Sequence, residues 1–124
     1  MPTQDFKGTI NGIAIAAAQT GFNTIFAGLL PRTITYTAAD TTPSVLSASF
    51  MQVANAGPVT ISNFDDGVSG QLLILKFDDA NTTISRDNAR LANSANFTSA
   101  NYAFLVLMKI GAEWVEITRS VANG

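Results

Sequence analysis

The chain has 124 residues, 47% of them apolar and 13% charged, with nine acids against seven bases and neither cysteine nor histidine. That length holds one domain with its own core, and the missing Cys and His exclude disulfides, zinc-thiolate centres and the Ser-His-Asp and Cys-His forms of nucleophilic catalysis. A net charge of −2 offers no basic footprint for nucleic acid, and no apolar run is long enough to cross a membrane.

The charged share is about half that of an ordinary globular protein. The polar surface must therefore be built from Thr, Ser, Asn and Gln. Such a surface suits β-rich extracellular or virion proteins, and also chains that bury much of their surface against copies of themselves.

Residues 1–31 differ in texture from the rest. Pro2, Gly8, Gly12, Gly21, Gly28 and Pro31 cut the apolar content into short pieces, none long enough to stand alone as a helix in water. The piece beginning at Ile13 follows Asp5, Lys7 and two glycines, which does not match a secretory signal. The expectation is an anchoring arm whose Ile13, Ile15, Phe22, Ile25, Phe26, Leu29 and Leu30 lie against a neighbouring subunit or another protein. A first strand of the chain's own domain is the equal alternative.

From Arg32 onward the pattern is that of strands, and residues 32–124 are expected to form the β-domain. Thr33–Thr37 alternates strictly, with Ile34 and Tyr36 inward. A turn over Ala38–Pro43 precedes an extended run from Val45 to Val53, closed by Asn55-Ala-Gly-Pro58. Val59 and Ile61 then alternate with Thr60 and Ser62, a strand with one wet face.

Leu72–Phe77 is apolar on both parities, the mark of a strand buried on both sides. Between these two strands, Gly67 and Gly70 sit among Asp and Ser as a turn. Asp78–Leu91 carries only Ile84 and Leu91 as large apolar residues, so a short strand and an irregular loop are expected. Tyr102–Ile110 places Phe104, Val106 and Met108 on one face, Leu105 and Leu107 on the other. Gly111-Ala112 makes a tight turn, and Glu113–Arg119 alternates with Val115 and Ile117 inward. Phe50, Phe77 and Phe104 are read as core.

Seven or eight short strands with no helical period predict an all-β fold. The expected architecture is an antiparallel β-sandwich, jelly-roll-like or prism-like.

Several motifs in order resemble a known family. They are Ile61-x-x-Phe64, Asp66-Gly67-x-x-Gly70-Gln71, Asp79-x-Asn81-Thr82-Thr83-Ile84, Leu91, Asn96-Phe97 and Gly111-x-x-Trp114-x-Glu116-x-x-Arg119-Ser120. Together they look like the small β-domain at the ends of tailed-bacteriophage tail fibres and tailspikes and in related virion proteins. The likeness spans residues 45–120. It departs at Asp66-Gly67, where the family carries Gly-Gly, and near Leu91, which lacks the family's glycines. The resemblance implies a homotrimeric virion module with no catalytic residue. On the residues themselves, Trp114 alternates with the inward Val115, which aims it at a second layer or a subunit contact. Glu116 and Arg119 fall on opposite parities, so they are expected to pair across chains. Trp114, Glu116 and Arg119 are the candidate subunit interface.

Reactive chemistry finds little footing. Asp65, Asp66, Asp78, Asp79 and Asp87, with Asn81 and Asn88, are oxygen ligands of the kind calcium takes, but a six-residue strand of about 20 Å separates the two groups. They are read as solvated turn and cap residues. Glu113 and Glu116, the only glutamates, face opposite ways along one strand, against a shared glycosidase cleft. Gly67-x-x-Gly70 leads into a strand without Lys-Ser or Lys-Thr, so it is no phosphate loop. No enzyme activity, metal or cofactor is expected.

The leading functional expectation is a trimeric capsid decoration or cement protein on the virion, held to the major capsid protein or another virion protein by its arm. The alternative is a tail-fibre or spike tip, or an adaptor, that binds a host receptor. A short chain starting at Met1 and lacking a shaft of repeats favours the first.

Overall fold

A computed structural model describes residues 32–123; the expected arm lies outside the described residues. These residues form nine strands: β1 (Thr33–Thr35), β2 (Phe50–Val53), β3 (Val59–Ile61), β4 (Leu72–Phe77), β5 (Thr82–Ile84), β6 (Ala89–Arg90), β7 (Phe97–Thr98), β8 (Phe104–Ile110) and β9 (Glu113–Ser120). The domain is all-β, in two sheets. One runs β1-β2-β4-β8-β9-β6 and the other β3-β5-β7.

The sheets are mixed, which corrects the antiparallel expectation. β1, β2 and β4 run parallel, β8 is antiparallel to both β4 and β9, and β6 is parallel to β9. In the smaller sheet β3 and β5 are parallel and β7 is antiparallel. The cause is a coil of chain through β2, β3, β4 and β5. These strands alternate between the two sheets, so each returns beside the one two before it and in the same direction. Side-chain alternation reports the buried face of a strand and is identical for either direction. The sequence pattern was blind to this choice.

One core joins both sheets. Leu73, Leu75 and Phe77 of β4 and Leu105 and Leu107 of β8 are fully buried, with Ile61, Ile84 and Phe97 from the smaller sheet. Each such side chain contributes about 1.5–3 kcal/mol relative to leaving it in water. The Phe77 and Phe97 rings, centroids 5.2 Å apart, tie one sheet to the other.

The opposite face of β4 is not buried. Leu72 is 40% exposed and Ile74 half-buried, so the strand reads apolar on both faces while the core covers one. Phe50 and Phe104 share that outer face and are half-buried, leaving Phe77 as the core member of the three phenylalanines expected there. The expected run Val45–Val53 is likewise shorter. Ser47 takes a left-handed φ of 55° and Leu46 is 64% exposed, so the chain turns there and β2 begins only at Phe50. Val45 and Ala48, on either side of the turn, still point into the core.

Candidate functional site

The motif residues gather in β9, the β3–β4 turn and the segment entering β5. In β9, Leu107 of β8 faces Glu116 and Val106 faces Thr118, which leaves Ile117 as an extra residue. Such a bulge sets two residues against one and resets the alternation of the strand. Trp114, Glu116 and Arg119 therefore share the inner side, while Ile117 turns outward and is 55% exposed. Val115 is only half-buried. The expectation that Val115 and Ile117 point inward is overturned, and so is the outward Trp114.

Trp114 is fully buried within its own chain. Its Nε1–H donates to the Phe64 carbonyl at 3.3 Å, and it meets the Phe64 ring edge-on, centroids 6.0 Å apart at 80°. The Lys109 ammonium lies 5.3 Å from the indole, a cation–π contact. A side chain with no exposed surface has none to offer a neighbour, so the subunit-contact reading of Trp114 is corrected to a core anchor.

Glu116 and Arg119 pair with each other, against the expectation of pairing across chains. Arg119 Nε donates to Oε2 and its second guanidinium nitrogen to Oε1, each at 2.7 Å, a forked geometry that adds direction to charge. The Ala92 amide donates to Oε1 at 2.9 Å, and the guanidinium covers the Phe97 ring at 5.0 Å. The Arg119 hydrogen bonds hold the Glu116 carboxyl below its ordinary range, against the opposing pull of burial, with the Ala92 amide assisting. Glu116 in turn raises Arg119. One ion pair thus fastens β9 to the loop before β7. Parity missed it because the bulge converts a three-residue spacing into a same-side one.

The β3–β4 turn is organised by Gln71. Its Nε2 donates to the carbonyls of Val45 and Ala48 at 2.8 and 2.7 Å, and its Oε1 accepts from the Val68 amide at 2.9 Å. One side chain thereby satisfies backbone groups in two loops. Asp66 adopts a left-handed φ of 65°, a conformation that favours glycine but that Asp tolerates. Asp66 also accepts from the Ser44 hydroxyl at 2.6 Å.

Asp79 is the third centre, and it is buried rather than solvated as expected. Its carboxylate accepts from the amides of Asn55, Asn81 and Thr82 at 2.9, 2.7 and 2.9 Å and from the Thr82 and Ser99 hydroxyls. Asn55 extends the network to Thr82 and to the Tyr36 phenol, which burial pushes above its ordinary value. The Asp79-x-Asn81-Thr82 motif therefore joins three loops through one carboxylate.

These arrangements hold the fold together. Among the described residues no group of three or more acids could hold a metal ion. Glu113 pairs with Arg90 at 3.0 Å and Glu116 with Arg119, so both glutamates are engaged. An open polar cleft of about 390 Å³ lies between Arg86, Asp87, Arg90, Ser94 and Glu113; sequence reasoning passed over it because its residues come from two distant segments. The chain matches no protein-family model and no curated protein.

Proposed function

We propose that this chain is a non-enzymatic structural protein of a bacteriophage virion. In this reading residues 32–124 form a jelly-roll-like or prism-like sandwich that assembles as a homotrimer. Residues 1–31, through Ile13, Ile15, Phe22, Ile25, Phe26, Leu29 and Leu30, attach it to the major capsid protein or another virion protein as a decoration or cement protein. The supporting observation is the use to which the family-like motifs are put. Gly67, Gln71, Asp79, Asn81, Thr82 and Trp114 all serve packing or backbone satisfaction. A surface poor in charge fits assembly better than catalysis. Cryo-microscopy of the virion with the labelled protein tests the reading: density on the capsid supports it, and absence from the particle overturns it.

One observation favours a second reading, a tail-fibre or spike tip or adaptor that binds a host receptor. The polar cleft lined by Arg86, Arg90 and Glu113 presents the hydrogen-bonding groups that a glycan takes. Localisation at the tail rather than the capsid selects this reading.

A further inference from the structure

We infer that the cleft beside β6 binds a neutral saccharide, which enters as a single pyranose ring. This deepens the receptor-binding reading above and rests on it. The cleft holds about 390 Å³, within the size range of small-molecule sites. The buried Ala89 and Leu91 give it a small apolar base, while Arg86, Asp87, Arg90, Ser94 and Glu113 make polar walls. A pyranose has the matching character, an apolar C–H face rimmed by hydroxyls. The walls are held from outside the cleft. Asn96 Oδ1 accepts the Arg86 amide at 3.0 Å, Ser85 Oγ the Asp87 amide at 3.1 Å, and Glu116 Oε1 the Ala92 amide at 2.9 Å. β6 is laddered to β9, and Arg90 Nε donates to Glu113 Oε1 at 3.0 Å. Ser94 and its neighbour Asn93 take successive left-handed φ values of 52° and 60°. That conformation is costly for residues other than glycine, and such residues cluster at ligand sites. Walls fixed beforehand lose little freedom when a ligand arrives.

The unengaged groups name the ligand class. Among the described residues the Arg86 guanidinium, the Asp87 carboxylate and the Ser94 hydroxyl bond to no other protein group, and all three are exposed. The cleft therefore presents free donors and free acceptors together. A simple anion is repelled by Asp87, and a simple cation by Arg86. A hydroxyl both donates and accepts. Adjacent hydroxyls of one sugar can thus bond the guanidinium and the carboxylate at once, through charge-assisted hydrogen bonds, and bring no charge of their own.

The test follows amide signals of the full-length chain by NMR during titration, at millimolar concentration, with the methyl glycosides of glucose, galactose and mannose. Sulfate, putrescine and glycine serve as anion, cation and zwitterion. At least one glycoside is expected to shift the signals of Ala89, Leu91 and Ser94, while the three small ions leave them in place. Arg86→Gln and Asp87→Asn should each weaken that glycoside by about tenfold or more, roughly 1.4 kcal/mol. Both side chains are exposed, so far-UV circular dichroism should show either variant folded. Thr60→Ala, exposed on the smaller sheet, should bind as the wild type does. The inference is overturned if no glycoside shifts these signals, if any of the small ions shifts them as strongly, or if either folded variant binds normally. Glycoside binding by a protein that lies on the capsid supports the cleft while the receptor-binding reading fails. A tail-located protein that binds no glycoside leaves that reading standing and ends this inference.

Discussion

Gly67 lies directly against the indole of Trp114: a Cβ added to Gly67 would sit 2.4 Å from Cζ2 and 3.0 Å from Cη2 of that ring. The two residues are far apart in sequence and form one packing unit, in which the turn before β4 is pressed onto the side chain that anchors β9. The missing side chain, rather than backbone freedom, is what the site needs from this glycine.

Gly67→Ala should therefore destabilise the domain by about 1–3 kcal/mol, the usual cost of overpacking a filled core. At this size each kcal/mol lowers the melting temperature by roughly 4–8 °C. Trp114 is the sole tryptophan, so its fluorescence reports on the contact itself. Denaturant unfolding followed at that signal should shift to lower midpoint. An unchanged midpoint would show that the ring can move aside.

Asp79→Ala should be more damaging. It removes the acceptor from three backbone amides and two hydroxyls, and each buried donor left unsatisfied costs about 1–3 kcal/mol. A loss of about 3 kcal/mol or more is expected by urea unfolding. A loss under 1 kcal/mol would mean that water replaces the carboxylate freely.

The Glu116–Arg119 pair predicts a pH dependence. The Arg119 hydrogen bonds hold the folded Glu116 carboxyl below its ordinary value of 4.5. Between that lowered value and 4.5 the unfolded chain takes up a proton that the folded chain refuses, so protonation drives unfolding. The stabilisation is complete above pH 4.5 and is lost as pH falls through the folded value. Glu116→Gln should lower stability at pH 7 by about 1.5–3 kcal/mol and flatten the fall below pH 4.5. Some slope should persist, because Lys76 depresses the Asp78 carboxyl in the same direction. Equal slopes in wild type and variant would remove Glu116 from the account.

Metal removal should leave the melting temperature where it is. The Asp79 carboxylate is occupied by donors of its own chain, and Asp65 and Asp66 lie at the far end of a strand about 20 Å long. A fall of more than about 5 °C on adding chelator, roughly 1 kcal/mol, would restore calcium to consideration.

The strands were legible where alternation is local and unbroken: β8 sets Leu105 and Leu107 on one face and Phe104, Val106 and Met108 on the other as its pattern states, although only the structure shows that the leucine face is the buried one, and Gly111-Ala112 turns between β8 and β9 with Gly111 at a φ of 62°. Two things escaped for physical reasons. Strand direction leaves no trace in a period of two, so the parallel coil through β2–β5 was invisible. A single extra residue reverses every later parity, and Ile117 is that residue. The same bulge hid the Glu116–Arg119 pair, while the inward Trp114 lies before it and was misjudged because Val115 and Ile117 are the more regular apolar pair. Leu72, Ile74, Phe50 and Phe104 misled in another way: apolar residues on both faces of a strand predict burial on both sides, whereas the core covers one face and leaves these half-buried or exposed.

The last prediction separates attachment from folding. The buried residues of the β-domain, from Val45 to Trp114, form a single cluster among themselves, and its strand ladders begin at Thr33. Deleting residues 1–31 should therefore leave a soluble β-rich protein that unfolds cooperatively. If Ile13, Ile15, Phe22, Ile25, Phe26, Leu29 and Leu30 make the attachment, that protein should no longer bind particles stripped of the wild type. Apolar burial contributes about 25 cal/mol per Å², so seven such side chains suffice to hold an arm in place. Cosedimentation of the truncated and full-length proteins with stripped particles measures the difference. A truncated protein that cannot fold makes the segment an integral part of the domain. One that folds and still decorates particles places attachment on the β-domain and ends the arm hypothesis.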